Sequence, residues 1–385
     1  MIYLDYQATT PLAPEVIAAM TDGLHRHGNP HSAHAMGRQA AAEVELARDR
    51  IMATLALPDA PLSDGRLSDG RLSGGSLIFT SGATEALNTA IHGVAQGAAA
   101  RGRTRIVTIA TEHAAVIDTA LACARLDMEA VFLPVGADGL VDLDRAEDAI
   151  DVRTALVVVM QVNNEIGVIQ PLVALGDLAA RVGAPLLCDA VQAFGRMTLP
   201  LTPDMVAISA HKIHGPKGIG ALWVRDGIAL PPLMHGGGQE GGVRSGTLSP
   251  LLCAGFGVAA KIAAEKRVED AAHVAALWET ARRLFAGWTI NGSMTHRYKG
   301  NLNIRRDGVD AARILSSCRR VGMSLGSACA SGSGRTSHVL RAIGLSDQQA
   351  RSSIRLGFGR YTTMSDLEEA ALLILESASE QEGFA

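Results

Sequence analysis

Residues 76–95, SLIFTSGATEALNTAIHGVA, are the stretch whose reading decides the fold. SLIFT is a short apolar run bounded by the small residues Ser81 and Gly82. Beyond them Leu87, Ala90, Ile91 and Val94 recur at the i, i+3, i+4, i+7 spacing of one helical face. The stretch therefore predicts a strand, a tight turn and a helix whose N-terminus faces the strand's carboxyl end. The same alternation continues to about residue 225, with apolar, β-branched runs at RIVTIA, ALVVVM, PLLCD, MVAIS and GALWV separated by helical patterns. Strands alternating with helices in this way predict an α/β fold with a mainly parallel central sheet. Just upstream, PLSDGRLSDGRLSGGSL holds SDGRL twice in tandem, which reads as an expansion of a surface loop.

Composition sets the outer limits. With 385 residues, two domains are expected, and a formal net charge of −4 gives no sign of a nucleic-acid or membrane partner. No run approaches the roughly 18 apolar residues of a membrane span. The opening MIYLDYQATTPLAPEV lacks a basic segment followed by an apolar one, so no secretory signal is read and a cytoplasmic location is expected. The five cysteines, Cys123, Cys188, Cys253, Cys318 and Cys329, are odd in number and contain no CxxC pair. That argues against a disulfide framework and against a zinc or iron–sulfur site built within the chain, and it leaves at least one free thiol. The Gly-rich HGGGQEGGVRSGT (235–247) marks a boundary or an active-site loop. After it, the helical pattern LLCAGFGVAAKIAAEK leads to the strand-like NLNIR and SIRLGF of a smaller α+β region.

In an open parallel sheet, ligands collect outside the carboxyl ends of the strands, where loops converge and helix N-termini present free N–H groups. The unusual polar residues stand at those ends. Ser81, Gly82, Ala83 and Thr84 follow the first strand; Glu112 and His113, Asn163 and Asn164, Asp189 and Gln192, and Ser209, His211 and Lys212 follow the next four. Singly, His113 reads as a loop histidine, Asp189 as a helix cap and Lys212 as a solvated turn residue; their joint placement marks a site. SGAT offers hydroxyls and a helix N-terminus but no GxxxxGK[ST], so a monophosphate suits it better than a nucleotide. A lysine held neutral at pH 7 costs roughly 5 kcal/mol from its usual pKa, and condensation with an aldehyde removes that cost. A phosphate cup, an aspartate for a pyridinium nitrogen and a lysine on a neighbouring strand end are what pyridoxal 5'-phosphate chemistry requires.

At these residues the sequence resembles the cysteine desulfurases, within the pyridoxal-phosphate enzymes shaped like aspartate aminotransferase. The matching stretches are LDYQATTP, GNPHSAHAMGR, FTSGATEALN, TEHAAVID, VNNEIGVIQP, DAVQAFGR, SAHKIHGPKGIGALWVR, GGGQEGGVRSGT, GSACASGSGRTSHVLRAIG and SIRLGFGRYTT, and they run over nearly the whole chain. The resemblance implies a large cofactor-binding domain over 12–250 and a small domain made of 1–11 and 251–385. It implies that Lys212 holds the cofactor through an imine, that Asp189 pairs with the ring nitrogen and that His113 stacks on the ring. Ala83, Thr84, Ser209 and His211 would take the phosphate, with Thr247 reaching it from the other subunit of a homodimer. Gln192 and Asn164 would contact the cofactor's phenol oxygen or the substrate. Arg355 would grip the substrate carboxylate as a fork.

Cys123, Cys188, Cys253 and Cys318 read as small buried hydrophobes. Cys329 differs, because SLGSACASGSGRTSH is too poor in apolar side chains to bury and so predicts an accessible loop. A thiol near pKa 8.5 needs a shift of only about one unit to be substantially ionised at neutral pH, from His113 or from the substrate's own groups. Extended, the stretch from Gly326 to Ser337 spans on the order of 30 Å, enough to carry sulfur from the cofactor to an acceptor or scaffold protein. The expected reaction turns L-cysteine into L-alanine and leaves the sulfur on Cys329 as a persulfide, with Lys212 moving the α-proton. Selenocysteine lyase or aminotransferase chemistry on the same scaffold, or a cofactor-binding relay protein without turnover, are the rivals. GSAC argues against the first two, and the intact set of Lys212, Asp189, His113 and Cys329 against the third.

Overall fold

The computed structural model describes residues 1–55, 74–325 and 336–382. Cys329 and both copies of the SDGRL repeat lie outside the described residues. A seven-stranded sheet forms the centre, in the order Gly75–Thr80, Gly220–Arg225, Met205–Ser209, Leu186–Asp189, Thr154–Met160, Arg105–Ile109, Glu129–Leu133. All neighbours pair in parallel except Gly220–Arg225, which runs against both of its neighbours. The sheet is thus mainly parallel, as expected. The edge strand Glu129–Leu133 has no counterpart among the predicted strands.

The strand residues explain why helices cover both faces. Every residue of Thr154–Met160 is buried. Successive side chains point to opposite faces, so Val157 and Val159 enter one core while Leu156 and Val158 enter the other. The first core is closed by Val44 and Ile51, by Leu172 and Leu175, and by Phe256; the second by Leu87, Ile91 and Val116. Leu87 and Ile91 belong to the helix Ala83–Ala95, within the stretch where helical spacing predicted one.

A 35-residue helix, Pro250–Leu284, starts with proline at its first turn and with the Ser249 hydroxyl accepting from the Leu252 N–H. Its first half buries Cys253 and Phe256 against the large sheet; its second half buries Val274, Leu277 and Trp278 in another core. That other core covers a three-stranded antiparallel sheet, ordered Ser353–Gly357, Asn301–Arg305, Thr289–Ile290, together with the short parallel pair Ile2–Tyr3 and Val321–Gly322.

Gly357 positions the site from this side. The N-terminal chain runs against it, with Asp5 bridged to Gly357, Gly357 N–H donating to the Leu4 carbonyl at 2.7 Å and Tyr6 N–H donating to the Gly357 carbonyl at 3.3 Å. A Cβ at this position would strike the Gln7 amide and stand 2.9 Å from the Tyr6 nitrogen. Alternation along this strand sends Ile354 and Leu356 into the core, while Arg355 lines the large cavity of the protein.

Candidate active site

A cavity of about 860 Å3 opens at the carboxyl ends of the parallel strands. The strand Gly75–Thr80 delivers the Ser81–Thr84 turn, and among the described residues no side chain caps the first turn of the helix that follows. The Ser81 N–H is taken by Glu85 Oε2 at 2.7 Å, and the N–H groups of Ala83 and Thr84, at the cavity wall, are donors for an anion. The turn fits only because the neighbouring strand has Gly220 beside it: a Cβ there would lie 2.8 Å from the Gly82 Cα and 2.6 Å from the Ile208 carbonyl oxygen. A Cβ at Gly82, by contrast, would meet none of the described residues within 4 Å.

The strand Arg105–Ile109 leads to His113, which caps the helix Ala114–Ala122 by accepting the Ala115 N–H on Nδ1 at 3.1 Å. That bond puts the ring proton on Nε2 and keeps the ring neutral, and burial lowers its pKa. Asp189 ends its strand only 5% exposed, with Oδ1 accepting from Val191 N–H at 3.0 Å. Burial raises its pKa, while the Val191 N–H, His113 and Lys212 pull the other way.

Met205–Ser209 runs directly into a turn, Ala210–Lys212, that carries His211 and Lys212 into the cavity. Burial, then the positive charges of Arg196 and Arg355, bring the Lys212 amine down to about 7, against the opposing pull of Asp189 and Asp5. Its Nζ donates to the carbonyls of Gln7 at 2.5 Å and Ala8 at 2.8 Å. His211 is pushed to about 4, by burial first and then by Lys212 and Lys217, and its Nδ1 stands 3.1 Å from the Thr9 hydroxyl.

Arg355 closes the opposite wall. Its Nη1 donates to the Asn164 carbonyl at 3.0 Å and its Nη2 to Asp5 Oδ1 at 2.8 Å, while the buried Nε has no partner among the described residues.

Of the residues singled out in the sequence, Ala83, Thr84, His113, Asn164, Asp189, Gln192, Ser209, His211, Lys212 and Arg355 all line this one cavity. Thr247 is exposed and does not line the cavity of its own chain. Two strand-end residues depart from expectation. Glu112 is fully buried, its Oε1 accepting from Met160 N–H at 2.7 Å, and Asn163 holds its own turn by accepting from the N–H groups of Glu165 and Ile166. At a strand end only one of two successive side chains faces the ligand side. Gln192 is also more engaged than expected, with Nε2 donating to the Gln7 carbonyl and Oε1 accepting from Arg196. Sequence reasoning missed the wall formed by Gln7, Ala8 and Thr9, and it missed Glu165, Ser337 and His338, which also line the cavity.

These residues fit pyridoxal phosphate on their own chemistry. An uncapped helix N-terminus beside Ser209 and His211 suits a phosphate; a buried carboxylate with one oxygen committed needs a cationic partner; an amine of low proton affinity suits an aldehyde. The fold and site thus define a pyridoxal-phosphate enzyme, and the aminotransferase class-V family pattern matches residues 2–369. The chain is 40% identical to cysteine desulfurase IscS of Rickettsia felis, an alignment that covers 97% of this chain and 90% of the relative. It is 41% identical, with the same coverage, to cysteine desulfurase IscS of Rickettsia bellii. Among solved structures, a NifS-like protein superposes with a TM-score of 0.86 at 30% identity, over 98% of this chain and 99% of that one. SspA in complex with cysteine gives 0.78 at 32% identity, over 94% of this chain and 100% of that one. Within the class-V aminotransferases, the chain belongs to the NifS/IscS-like cysteine desulfurases.

Proposed function

We propose that this enzyme converts L-cysteine to L-alanine and transfers the sulfur to Cys329 as a persulfide, for iron–sulfur cluster assembly or other sulfur delivery. The observation that carries the reading is the meeting of Lys212, Asp189, His113 and Arg355 around one cavity. Lys212 would hold the cofactor, Asp189 its ring nitrogen, His113 its ring face, and Ala83, Thr84, Ser209 and His211 its phosphate, with Gln192 and Asn164 at its phenol oxygen or at the substrate. Bound there, pyridoxal phosphate supplies an electron sink for the charge released when the substrate's Cα–H bond breaks. Arg355 orients the substrate carboxylate. The Lys212 amine, near 7, is suited both to take the α-proton and to return one at neutral pH.

The Cys329 thiolate attacks the substrate sulfur, so that a C–S bond breaks as an S–S bond forms. Alanine keeps the carbon skeleton and gains a proton at Cβ in place of sulfur. Thr336, seven residues from Cys329, lines the cavity, and a chain of that length reaches at most about 25 Å. The two separate cores joined by the long helix support a two-domain division of the kind 12–250 and 1–11 with 251–385, with the first half of that helix, from Cys253 to Ala263, packed in the core of the large sheet. The enzyme works as a homodimer in which the exposed Thr247, which does not line the cavity of its own chain, serves the other subunit's phosphate site. A cytoplasmic location and a sulfur-acceptor protein complete the reading; among the described residues no helix is long and apolar enough to cross a membrane.

Alanine release from L-cysteine tests it. The wild type should release alanine, Lys212→Ala should remain folded but release none, and Cys329→Ser should bind cofactor and substrate without releasing alanine by this route. Full alanine release from either variant contradicts the roles of Lys212 and Cys329.

A further inference from the structure

Arg196 does not line the large cavity. It lies behind Lys212, beside a small separate cavity of about 40 Å3. Its guanidinium donates from Nη1 to the side-chain oxygen of Gln192 at 2.7 Å, and from Nη2 to the backbone carbonyls of Lys212 at 2.6 Å and Tyr6 at 3.3 Å. The Tyr298 ring backs it, with the centroid 5.6 Å from Cζ. On the cavity side, the Gln7 carbonyl accepts from both Gln192 Nε2 at 2.9 Å and Lys212 Nζ at 2.5 Å. The circuit is closed: Arg196 to Gln192, Gln192 to Gln7, Gln7 to the Lys212 amine, and the Lys212 carbonyl back to Arg196.

We infer that Arg196 is a positioning residue, which fixes the Lys212 backbone and the Gln192 amide to the N-terminal segment so that both present a set geometry to the cofactor. This rests on Lys212 being the cofactor-holding residue.

A planar fork is required for the task. The acceptors on Gln192 and Lys212 belong to different elements, and a guanidinium meets both at once with its two Nη groups. A lysine ammonium is a point charge that cannot reproduce that fork. Without Arg196 the Gln192 amide loses the bond that sets which of its ends faces Gln7, and the Lys212 carbonyl loses its donor. The fixed charge adds a second consequence. Lys212 is acted on by Arg196 and Arg355 on one side of the balance and by Asp189 and Asp5 on the other, with His113 and His211 also close by. Removing Arg196 takes away the stronger of the two positive charges that favour the neutral amine.

The two consequences separate in experiment. The first arm uses the full-length protein freed of cofactor, acetylated with acetic anhydride across a range of pH, with modification at Lys212 mapped by peptide mass against the exposed Lys261. Wild type should show a Lys212 midpoint near 7. In Arg196→Met the midpoint should rise by about one unit, leaving about fivefold less neutral amine at pH 7. In Arg196→Lys it should stay near the wild-type value. The second arm uses the holoenzyme. Because Arg355 is untouched, Arg196→Lys should keep the KM for L-cysteine within about twofold while kcat falls about tenfold or more.

An unchanged Lys212 midpoint in folded Arg196→Met overturns the electrostatic part, and a wild-type kcat in Arg196→Lys overturns the positioning role. Should Arg196→Met fail to fold, the lysine variant still decides the positioning role. The acetylation arm involves no turnover, so it reads Arg196 even if L-cysteine proves not to be the substrate.

Discussion

Asp5→Ala removes a carboxylate that holds two ends of the chain together at the cavity wall. Asp5 Oδ1 accepts from Arg355 Nη2 at 2.8 Å and from the Ser324 hydroxyl at 2.9 Å. The Arg355 side chain is 1% exposed and that of Asp5 17%. After the substitution the guanidinium retains, among the described residues, one hydrogen bond, to the Asn164 carbonyl, since its Nε has no partner among them. Breaking one side of a buried ion pair costs about 3–5 kcal/mol, and the Ser324 hydroxyl loses its acceptor as well. Water reaching the small space left by Asp5 relieves part of this, so the expected loss is about 3 kcal/mol.

Guanidinium chloride unfolding at unchanged m-value measures the loss directly. Removing both partners, in Asp5→Ala/Arg355→Met, leaves no stranded charge, so the double variant should be more stable than the sum of the single losses implies, by about 2 kcal/mol. The KM for L-cysteine should rise about tenfold in Asp5→Ala, because Arg355 is no longer held. A stability loss below about 0.5 kcal/mol, or strict additivity in the double variant, would refute the coupling between Asp5 and Arg355.

Two further predictions concern the buried titratable groups. Asp189→Ala should still bind the cofactor but lose preorganised charge at the ring nitrogen, lowering kcat by about 10²–10³; normal turnover in that variant would remove Asp189 from this role. His214, 7% exposed and near the Pro11 carbonyl, is pushed by burial to about 4. Between that value and the unfolded value near 6.5 the unfolded chain binds the extra proton, so this histidine's contribution to stability is lost as pH falls through that window. Its φ of 67° suits asparagine, and His214→Asn should flatten the stability–pH curve between 6.5 and 4 relative to wild type. An unchanged slope contradicts the assignment.

Much of the site was legible because its residues sit where a local pattern exposes them. A strand followed at once by a polar residue, as in MVAIS leading to His211 and Lys212 or PLLCD ending at Asp189, locates a side chain at the ligand end of a parallel sheet without any knowledge of distant contacts. The pattern does not say which of two neighbours faces the ligand. Glu112 beside His113 and Asn163 beside Asn164 turned into the structure, where Glu112 holds one backbone N–H group and Asn163 two. The wall made by Gln7 and Ala8 uses backbone carbonyls, which leave no mark in residue types. The pairing of Asp5 with Arg355 spans 350 residues, and only the close approach allowed by Gly357 brings them together. The edge strand Glu129–Leu133 escaped because it begins at an exposed glutamate and is fully buried only at Leu133, so no continuous apolar run announces it.

The fate of the sulfur in a single turnover tests the role of Cys329 most directly. Wild-type holoenzyme treated with substoichiometric L-cysteine, without reductant, should release one alanine per cysteine consumed and gain the mass of one sulfur atom, mapped by peptide mass spectrometry to Cys329. Finding that sulfur chiefly on Cys123, Cys188, Cys253 or Cys318, or finding consumption of L-cysteine without alanine, would contradict the transfer of sulfur to Cys329.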